Sequence, residues 1–408
     1  MTVQSTEVLI VGGGPAGSVA AATLARAGAQ CVVMERDRFP RYHIGESLLP
    51  SVLTVLDAIG LRPTIEQHGF VKKFGGLFRW GPDQEAWKLV FGELEGLRNY
   101  AFQVIRSEFD TLLLNHARES GATVLESTTV RQLEFAQRTG RLRIERDYSY
   151  HSTTFSGPGY FIAGDAACFI DPVLSSGVHL ATMSGLMAAA CVRSCLLDGF
   201  DEITARGFYE TSYQTAFHRF IGFLSSFYDQ NRSTHSYFWE SRQLTEQESS
   251  PAALRGAFIK LVTGEQDFHD LTRARSSQEV VDNLISRKIN ENIRLRNSSH
   301  GPHVDRRSSQ QLLSGVEGLF PCDMNGSVDG VYLALTPEVR LQMIDSEAAA
   351  SVRREVRRKP VLDIAVEERA LRFRGPQTLD DGARHHEVPM DGAAAKLQIE
   401  RGLRRVSH

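Results

Sequence analysis

The 408-residue sequence predicts an α/β fold, first from a strand–turn–helix–strand pattern at its N-terminus. Residues 7–11 form a short apolar run rich in β-branched residues, which is typical of a strand buried on both faces of a sheet. Residues 18–27 are rich in alanine and favour a helix, which Gly28 ends. Residues 30–34 form a second apolar strand. Together they predict a βαβ unit of a Rossmann-like sheet.

The turn inside this unit carries glycines spaced as GxGxxG, at Gly12, Gly14 and Gly17, and Glu35 ends the second strand. Gly12 suits a tight turn, Gly14 would let a pyrophosphate approach the backbone, and Gly17 would allow close helix–strand packing. The Glu35 carboxylate can accept a hydrogen bond from a ribose hydroxyl. The pattern therefore indicates a dinucleotide-binding domain, and the alternative is a glycine-rich turn of another α/β protein.

The remaining pattern predicts further elements and three regions. After a charged, Gly- and Pro-containing loop, the sequence predicts helices at 51–61, 106–120 and 175–197, strands at 72–81, 100–105, 122–125 and 160–163, and a hairpin at 132–144 around Gly140. A mostly helical segment rich in aromatic residues follows at 208–239. Ordinary core packing explains its aromatic rings. We expect a nucleotide-binding domain at 1–200 with inserted strands near 70–105, a helical domain at 201–335, and an extended, weakly ordered tail at 336–408.

Composition excludes several classes of protein. Apolar residues make up 42% and charged residues 23% of the chain, a globular balance, and a net charge of -3 does not favour nucleic acid. No uninterrupted apolar stretch reaches the roughly 18 residues of a membrane helix, and no basic region precedes the first apolar run. The five cysteines have neither CxxC nor metal-type spacing, so we expect reduced thiols, a cytoplasmic protein and no metal site.

Four motifs together resemble the FAD-dependent halogenases of the phenol and pyrrole type, within the flavoprotein monooxygenase superfamily. They are VGGGPAGS at 11–18, RYHIGESLLPS at 41–51, KKFGGLFRWG at 72–81 and GPGYFIAGDAACFIDPVLSSGVHLA at 157–181; SYFWESR at 236–242 is similar to that family's helical domain. The resemblance implies chlorination of a small electron-rich aromatic, free or tethered to a carrier protein, with FADH2, oxygen and chloride. No second dinucleotide motif is evident, so a separate flavin reductase would supply the FADH2.

The resemblance also implies which residues bind the cofactor. Asp165, after the strand at 160–163, would meet the ribityl chain of the flavin, and the alternative is an exposed carboxylate at the start of a loop. Arg41 and Arg106 would assist FAD binding.

A chloride site is implied where the helix at 175–197 begins. Ser176, Gly177 and Val178 would border a chloride ion beside the flavin ring, since backbone N–H groups at a helix N-terminus bind anions. The alternative is that Ser175 or Ser176 only caps the helix, and both interpretations can hold.

The resemblance places the catalytic lysine at Lys73, the second lysine of KKFGG. Adjacent residues of a strand point to opposite faces, so one of Lys72 and Lys73 should face solvent and the other the interior. The implied task is to capture or hydrogen-bond hypochlorous acid and deliver chlorine to the substrate. The alternative is a pair of solvated lysines.

The sequence departs from its relatives in two respects. Tryptophan halogenases carry Glu where this chain has Leu174, and their WxWxIP signature is absent, which favours a phenol or pyrrole over free tryptophan. In addition, an Asp-x-x-Gly flavin motif and most of a substrate-binding sheet are missing between 125 and 160, so we expect an internal deletion near residue 146. Two alternatives follow: a flavin-dependent aromatic hydroxylase, and a non-catalytic, degenerate flavin-binding protein.

Overall fold

The computed structural model describes residues 2–78, 87–134, 150–170, 174–227, 251–273, 331–336, 338–343, 362–367 and 370–374. The helices in this part of the chain are α1 (Pro15–Arg26), α2 (Val52–Ile59), α3 (Arg62–His68), α4 (Arg106–Glu119), α5 (Ser176–Leu197), α6 (Glu202–Phe227), α7 (Pro251–Thr263) and α8 (Glu265–Leu271). The strands are β1 (Thr2–Thr6), β2 (Val8–Val11), β3 (Cys31–Met34), β4 (Val71–Lys73), β5 (Gly75–Phe78), β6 (Trp87–Val90), β7 (Ala101–Gln103), β8 (Thr123–Leu125), β9 (Val130–Glu134), β10 (Tyr150–His151), β11 (Ser156–Gly157), β12 (Tyr160–Phe161), β13 (Cys168–Phe169), β14 (Val331–Ala334), β15 (Arg340–Met343), β16 (Leu362–Glu367) and β17 (Ala370–Arg374).

A parallel sheet in the order β2–β3–β8 forms the predicted βαβ unit, with α1 as the crossover between β2 and β3. The predicted helix at 106–120 and strand at 122–125 are α4 and β8, and α4 packs on α1. Strand β3 is buried along its whole length. The expectation that β2 is buried on both faces is wrong: its residues are half-buried, and Val11 is exposed. The reason is that β2 is an edge strand of this sheet among the described residues.

The lysine-bearing segment is two strands rather than the single strand predicted at 72–81. Strand β4 pairs with β7 and strand β5 pairs with β6, both antiparallel, and Phe74 lies between β4 and β5. The two halves therefore have different strand partners. The predicted continuation to residue 81 lies beyond the described residues.

Helix α5 is the central helix of the core. It packs on α1, α2 and α6, and 17 of its 22 residues are buried. By length and hydropathy alone it could span a membrane, but most of it is covered by neighbouring helices, which is the condition of a core helix. Gly185 shows why small residues are needed: a Cβ there would lie 2.3 Å from the carbonyl oxygen of Ala16.

Helix α6 begins six residues before the predicted start of the aromatic segment. Its Phe217, Phe220 and Phe223 side chains are buried in the core, so core packing explains these members of the aromatic stripe. Tyr228, Tyr237, Phe238 and Trp239, together with the SYFWESR motif, lie outside the described residues.

Two strands from the C-terminal region pair with the N-terminal part of the chain. β16 pairs with β1, and β17 pairs in parallel with β9, giving the sheet order β1–β16–β17–β9. β9 ends at Glu134, and the rest of the expected hairpin around Gly140 lies outside the described residues. The division into regions at 200 and 335 stays a prediction.

Candidate active site

The turn between β2 and α1 has the geometry that its glycines predict. Gly12 has φ +102°, a conformation that favours glycine, and its N–H donates to the Met34 carbonyl at 2.8 Å. A Cβ on Gly17 would lie 1.9 Å from the Gly12 carbonyl oxygen, so no larger residue fits without moving the turn. Gly14 is the N-cap of α1 and makes no side-chain cap, which leaves the amides of the first turn open to a ligand.

Glu35 and Arg41 complete this turn, and we name residues 12–17 with Glu35 and Arg41 the glycine cradle. The Glu35 carboxylate is buried and accepts the N–H of Gly13 at 2.6 Å. The position of a Cβ on Gly14 lies 3.4 Å from a guanidinium nitrogen of Arg41, whose buried Nε lacks a partner among the described residues. A positive charge beside a helix N-terminus favours an anionic ligand such as a pyrophosphate.

Arg106 is engaged within the protein. Its guanidinium donates to the Asp110 carboxylate at 2.8 and 3.0 Å and to the Ile44 carbonyl at 2.7 Å. Arg106 and Asp110 are both buried. These contacts favour a bracing role for Arg106 under the loop at 41–47, and its predicted contact with FAD would have to share donors already in use.

The two adjacent lysines differ as the strand alternation predicts. Lys72 is exposed, with its Nζ 3.3 Å from a Glu66 carboxylate oxygen and 4.2 Å from the centre of the Tyr100 ring. Lys73 is half-buried and donates to the Ser47 hydroxyl at 2.5 Å. Burial lowers the pKa of Lys73 from 10.5 to about 8, because the ammonium loses hydration.

The Gly164–Asp165 turn lies against the glycine cradle. Gly164 has φ +63°, and a Cβ there would be 3.1 Å from the Cβ of Ala16, on the first turn of α1. The Gly164 N–H donates to the Ser184 hydroxyl at 2.9 Å, and the Tyr213 hydroxyl donates to the Gly164 carbonyl at 3.3 Å. Asp165 is exposed beside this turn. The fold therefore brings together two flavin motifs that are about 150 residues apart in sequence.

The N-terminus of α5 offers hydrogen-bond donors for which the described part of the chain shows no side-chain partner. Ser175, the N-cap residue, has φ +57° and makes no side-chain cap, and the Ser176 hydroxyl is buried with no partner among the described residues. Ser175 therefore occupies the N-cap position as the alternative predicts, but neither serine hydroxyl caps the helix with a hydrogen bond among the described residues. No other atom lies within 4 Å of a Cβ built on Gly177, while Val178 is buried. Open amides and an unpartnered hydroxyl suit a small anion.

A buried hydrogen-bond network beside the N-terminus of α5 was not predicted from the sequence. His179 donates from Nε2 to the Asp267 carboxylate at 2.8 Å and accepts at Nδ1 from the Ser51 hydroxyl at 2.8 Å, and Arg219 pairs with the other Asp267 oxygen. Burial lowers the pKa of His179 to about 3, so its ring is neutral. These residues lie on α2, α5, α6 and α8 or at their ends, and no local pattern in the sequence links them.

The described cysteines are free, and the described residues include no group of three or more metal-ligating side chains. Burial raises the pKa of Cys31 to about 11 and that of Cys168 to about 12, so neither thiol is activated. Cys322 lies outside the described residues.

Comparison with known proteins finds similarity to flavin-dependent halogenases. The family model of the FAD binding domain matches residues 5–149, and that of tryptophan halogenases matches residues 131–281. A tryptophan 2-halogenase of Chondromyces crocatus is 28% identical over 506 residues, covering 85% of this chain and 96% of that protein. A flavin-dependent halogenase of Metacordyceps chlamydosporia is 46% identical over 132 residues, covering 32% of this chain and 24% of that protein. The chain is therefore similar to FAD-dependent halogenases over its N-terminal and central parts.

Solved structures agree on the fold of this chain. The myxobacterial chondrochloren halogenase superposes with a TM-score of 0.51 at 24% identity, covering 65% of this chain and 91% of that one. A second flavin-dependent halogenase superposes with a TM-score of 0.50 at 24% identity, covering 66% of this chain and 79% of that one. The predicted α/β, Rossmann-like FAD-binding fold is confirmed. Enzymes of this family are oxidoreductases that use FAD, aromatic substrates and flavin reductases.

Proposed function

We propose that this chain chlorinates an electron-rich aromatic ring, a phenol or a pyrrole, and that Lys73 is its catalytic residue. The observation that carries the proposal is the position of Lys73: it is half-buried, while its neighbour Lys72 faces solvent. A partly desolvated lysine is expected where the amine has a chemical task. The substrate would be a small molecule, free or tethered to a carrier protein. The expected localisation is cytoplasmic, and a separate reductase would supply FADH2.

The residues of the glycine cradle fit FAD. The pyrophosphate would lie against the amides at the N-terminus of α1, where Arg41 adds positive charge, and Glu35 and Asp165 would hold the ribose and ribityl hydroxyls. When bound in its reduced form, FAD supplies the reaction of oxygen with chloride that yields hypochlorous acid. The N-terminus of α5, with Ser176, Gly177 and Val178, would hold the chloride.

Lys73 would then handle the hypochlorous acid. Because burial lowers its pKa to about 8, an appreciable fraction of the side chain is neutral amine near pH 7.5. The amine lone pair can attack chlorine, and the departing hydroxide leaves as water with an amine proton. The aromatic carbon then takes the chlorine and loses its proton, which restores the amine. In an alternative mechanism that forms no N–Cl bond, the Lys73 ammonium donates a hydrogen bond to hypochlorous acid and so orients it.

The substrate class rests on Leu174, a buried apolar residue where tryptophan halogenases carry Glu. A phenol or pyrrole ring is already activated toward electrophilic chlorine and needs less help from a carboxylate. The name of the Chondromyces crocatus relative points instead to tryptophan. An assay of this chain must therefore include both kinds of substrate.

The alignment with that relative supports an internal deletion. It extends over 506 positions, while 85% of this 408-residue chain is about 347 residues, so about 160 positions face no residue here. Large apolar side chains are correspondingly exposed around Lys73. They are Ile44 (70% exposed), Val71 (69%), Phe74 (58%), Leu77 (73%) and Ile105 (53%).

The decisive experiment compares the two adjacent lysines. Purified protein is supplied with FAD, a flavin reductase and chloride, and incubated with a phenol, a pyrrole and tryptophan. We expect Lys73→Ala to lose at least about 100-fold of the chlorination rate while oxidising FADH2 at the normal rate. Lys72→Ala is the matched control, because it removes the same charge from the opposite face, and it should chlorinate normally. Equal chlorination by both variants would remove Lys73 from the mechanism.

The exposed apolar face also favours a second candidate, a flavin-binding protein that no longer completes the reaction. Such a protein would oxidise FADH2, release peroxide and chlorinate no substrate, and Lys73→Ala would change nothing. A flavin hydroxylase is distinguished by NADPH oxidation without added reductase.

A further inference from the structure

We propose that Ser47 is a positioning residue for Lys73, and that its hydroxyl determines whether chlorine reaches the substrate or is lost to water. The inference rests on the proposed function of Lys73. Ser47 lies in the RYHIGESLLPS segment, 26 residues before the lysine.

The backbone around Ser47 is held against β7. The Leu48 N–H donates to the Phe102 carbonyl at 3.0 Å, and the Val104 N–H donates to the Glu46 carbonyl at 2.8 Å. Ser47 itself lies opposite Gln103 in an antiparallel bridge. The segment therefore behaves as a short added strand, and its hydroxyl has a defined position.

The register places the serine and the lysine on one face of this sheet. Lys73 lies opposite Ala101 on one edge of β7, and Ser47 lies opposite Gln103 on the other edge. Ala101 and Gln103 are two residues apart, so their side chains share a face. The small side chain of Ala101 leaves room for the lysine chain to cross β7, which brings Nζ to 2.5 Å from the Ser47 Oγ.

The contact is polar but uncharged, which suits an amine that must lose its proton. A carboxylate at this distance would raise the pKa of the lysine and keep it protonated. Lys73 has no ion pair among the described residues, whereas Lys72 has one with Glu66. The centre of the Phe91 ring lies 5.7 Å from Nζ. The hydroxyl can thus hold Nζ in place while raising the pKa of Lys73 far less than a carboxylate would.

A buried ion pair braces the loop that carries Ser47. Arg106, fixed by Asp110, donates to the Ile44 carbonyl at 2.7 Å and to the Gly45 carbonyl at 3.4 Å. The arrangement runs from α4 through the loop to the Ser47 hydroxyl and then to Lys73. Such support from neighbouring residues is what holds a reactive side chain in a productive position.

The first test measures Lys73 without any halogenation. FAD-loaded protein is acetylated with trace acetic anhydride across a pH series, and the Lys73 peptide is quantified by mass spectrometry. Because the hydroxyl accepts a hydrogen bond from the ammonium, removing it destabilises the charged form. We expect Ser47→Ala to lower the pH midpoint of Lys73 acetylation by about half a unit or more. Ser47→Thr, which keeps a hydroxyl, and Ser107→Ala, a half-buried control on α4, should match the wild type.

The second test measures where the chlorine goes. Ser47→Ala should form about 10-fold less chlorinated product per FADH2 oxidised, and more hypochlorous acid should reach a solution trap. FAD affinity should not change. Circular dichroism checks folding, and Ser47→Cys replaces Ser47→Ala if the latter is unfolded.

An unchanged acetylation profile in folded Ser47→Ala overturns the inference, whatever the activity. A shifted profile with unchanged product yield also overturns it, because the contact would then have no effect on chlorine transfer. If Lys73→Ala still chlorinates normally, the proposed function of Lys73 fails, and the acetylation profile still reports whether Ser47 contacts it. The two failures are therefore distinguishable.

Discussion

The glycine cradle and the sheet face around Lys73 differ in how completely the protein covers them. In the cradle, Glu35 and much of α1 are buried, and the groups left open are the amides and a guanidinium nitrogen. Around Lys73, large apolar side chains such as Ile44, Val71 and Leu77 are exposed. Polar groups left open at a helix N-terminus indicate a ligand, whereas open apolar surface indicates a missing protein contact.

This difference has an energetic consequence. Each ~100 Å² of apolar surface left in water forgoes about 2.5 kcal/mol, against a total stability of only ~5–15 kcal/mol. The cradle is built from a continuous stretch of chain and the crossover helix α1, which packs on α4 and α5. The sheet face around Lys73 depends on cover from elsewhere. We therefore expect weak FAD binding, low solubility and uncoupled turnover that releases peroxide.

The largest expected effect breaks the cradle at its glycines. Gly17→Val should prevent folding of the βαβ unit, because its Cβ would overlap the Gly12 carbonyl oxygen at 1.9 Å. Gly14→Val should fold, since its Cβ meets Arg41 at an ordinary 3.4 Å, yet bind FAD at least about 100-fold more weakly because the side chain blocks the pyrophosphate. Circular dichroism and flavin fluorescence titration separate the two outcomes. Normal FAD affinity in Gly14→Val would show that the cradle is not the cofactor site.

The next largest expected effect concerns the Arg106–Asp110 ion pair, which braces the loop at 41–47. Arg106→Ala should lower the free energy of unfolding by about 3–5 kcal/mol, because it leaves the buried Asp110 carboxylate without its main partner. Chemical denaturation measures this loss.

The double variant Arg106→Met with Asp110→Leu is the matched control, and it should recover most of the stability. Its FAD affinity then decides the role predicted for Arg106. Wild-type affinity in a stable double variant means that Arg106 braces the loop only, and weakened affinity means that it also assists FAD.

Restoring the missing interval should cover the sheet face around Lys73 about as completely as the glycine cradle is covered. Insertion of the interval of the Chondromyces crocatus relative near residue 146 should raise the fraction of FADH2 oxidation that yields product by about 10-fold, since a covered pocket retains hypochlorous acid. Product and peroxide are measured together. Tightly coupled chlorination by the unaltered, monodisperse chain would show that no cover is missing.

The smallest effect probes a single exposed side chain. Leu77→Ser should change the free energy of unfolding by no more than about 0.5 kcal/mol, as expected for a surface position, while increasing solubility. Leu89→Ser, at a buried position on the paired strand β6, is the contrasting control and should destabilise the protein. A large loss of stability in Leu77→Ser would mean that its side chain is covered after all.

Some of the site could be predicted because its physical requirement is local. The tight turn at Gly12 and the close approach at Gly17 are steric demands within six residues, and the opposite directions of Lys72 and Lys73 follow from the pleat of any strand. The motif after β12 likewise identified the N-terminus of α5. The use of these residues in binding and catalysis stays a prediction.

Other expectations depended on partners that are distant in sequence. Strand β2 has the composition of a fully buried strand but lies at an edge, because burial depends on which strand pairs beside it. The pattern at 72–81 predicts one strand, but in the structure β4 pairs with β7 and β5 pairs with β6. The sequence does not show that Arg106 has partners within the protein. Only the fold places the Asp110 carboxylate and the Ile44 carbonyl within hydrogen-bond distance of it.

The sequence by itself therefore determined the βαβ unit, its glycine turn and the opposite directions of the two lysines, since these depend on steric rules and periodicities that act over a few residues. Only the tertiary structure decided that Ser47 meets Lys73, and that Ser51, His179 and Asp267 form one buried chain. The sequence does not show which hydrogen-bond partner a hydroxyl or an imidazole will have in the fold. That choice is made when separate helices and strands pack, because a buried polar group must then find whichever partner lies within hydrogen-bond distance.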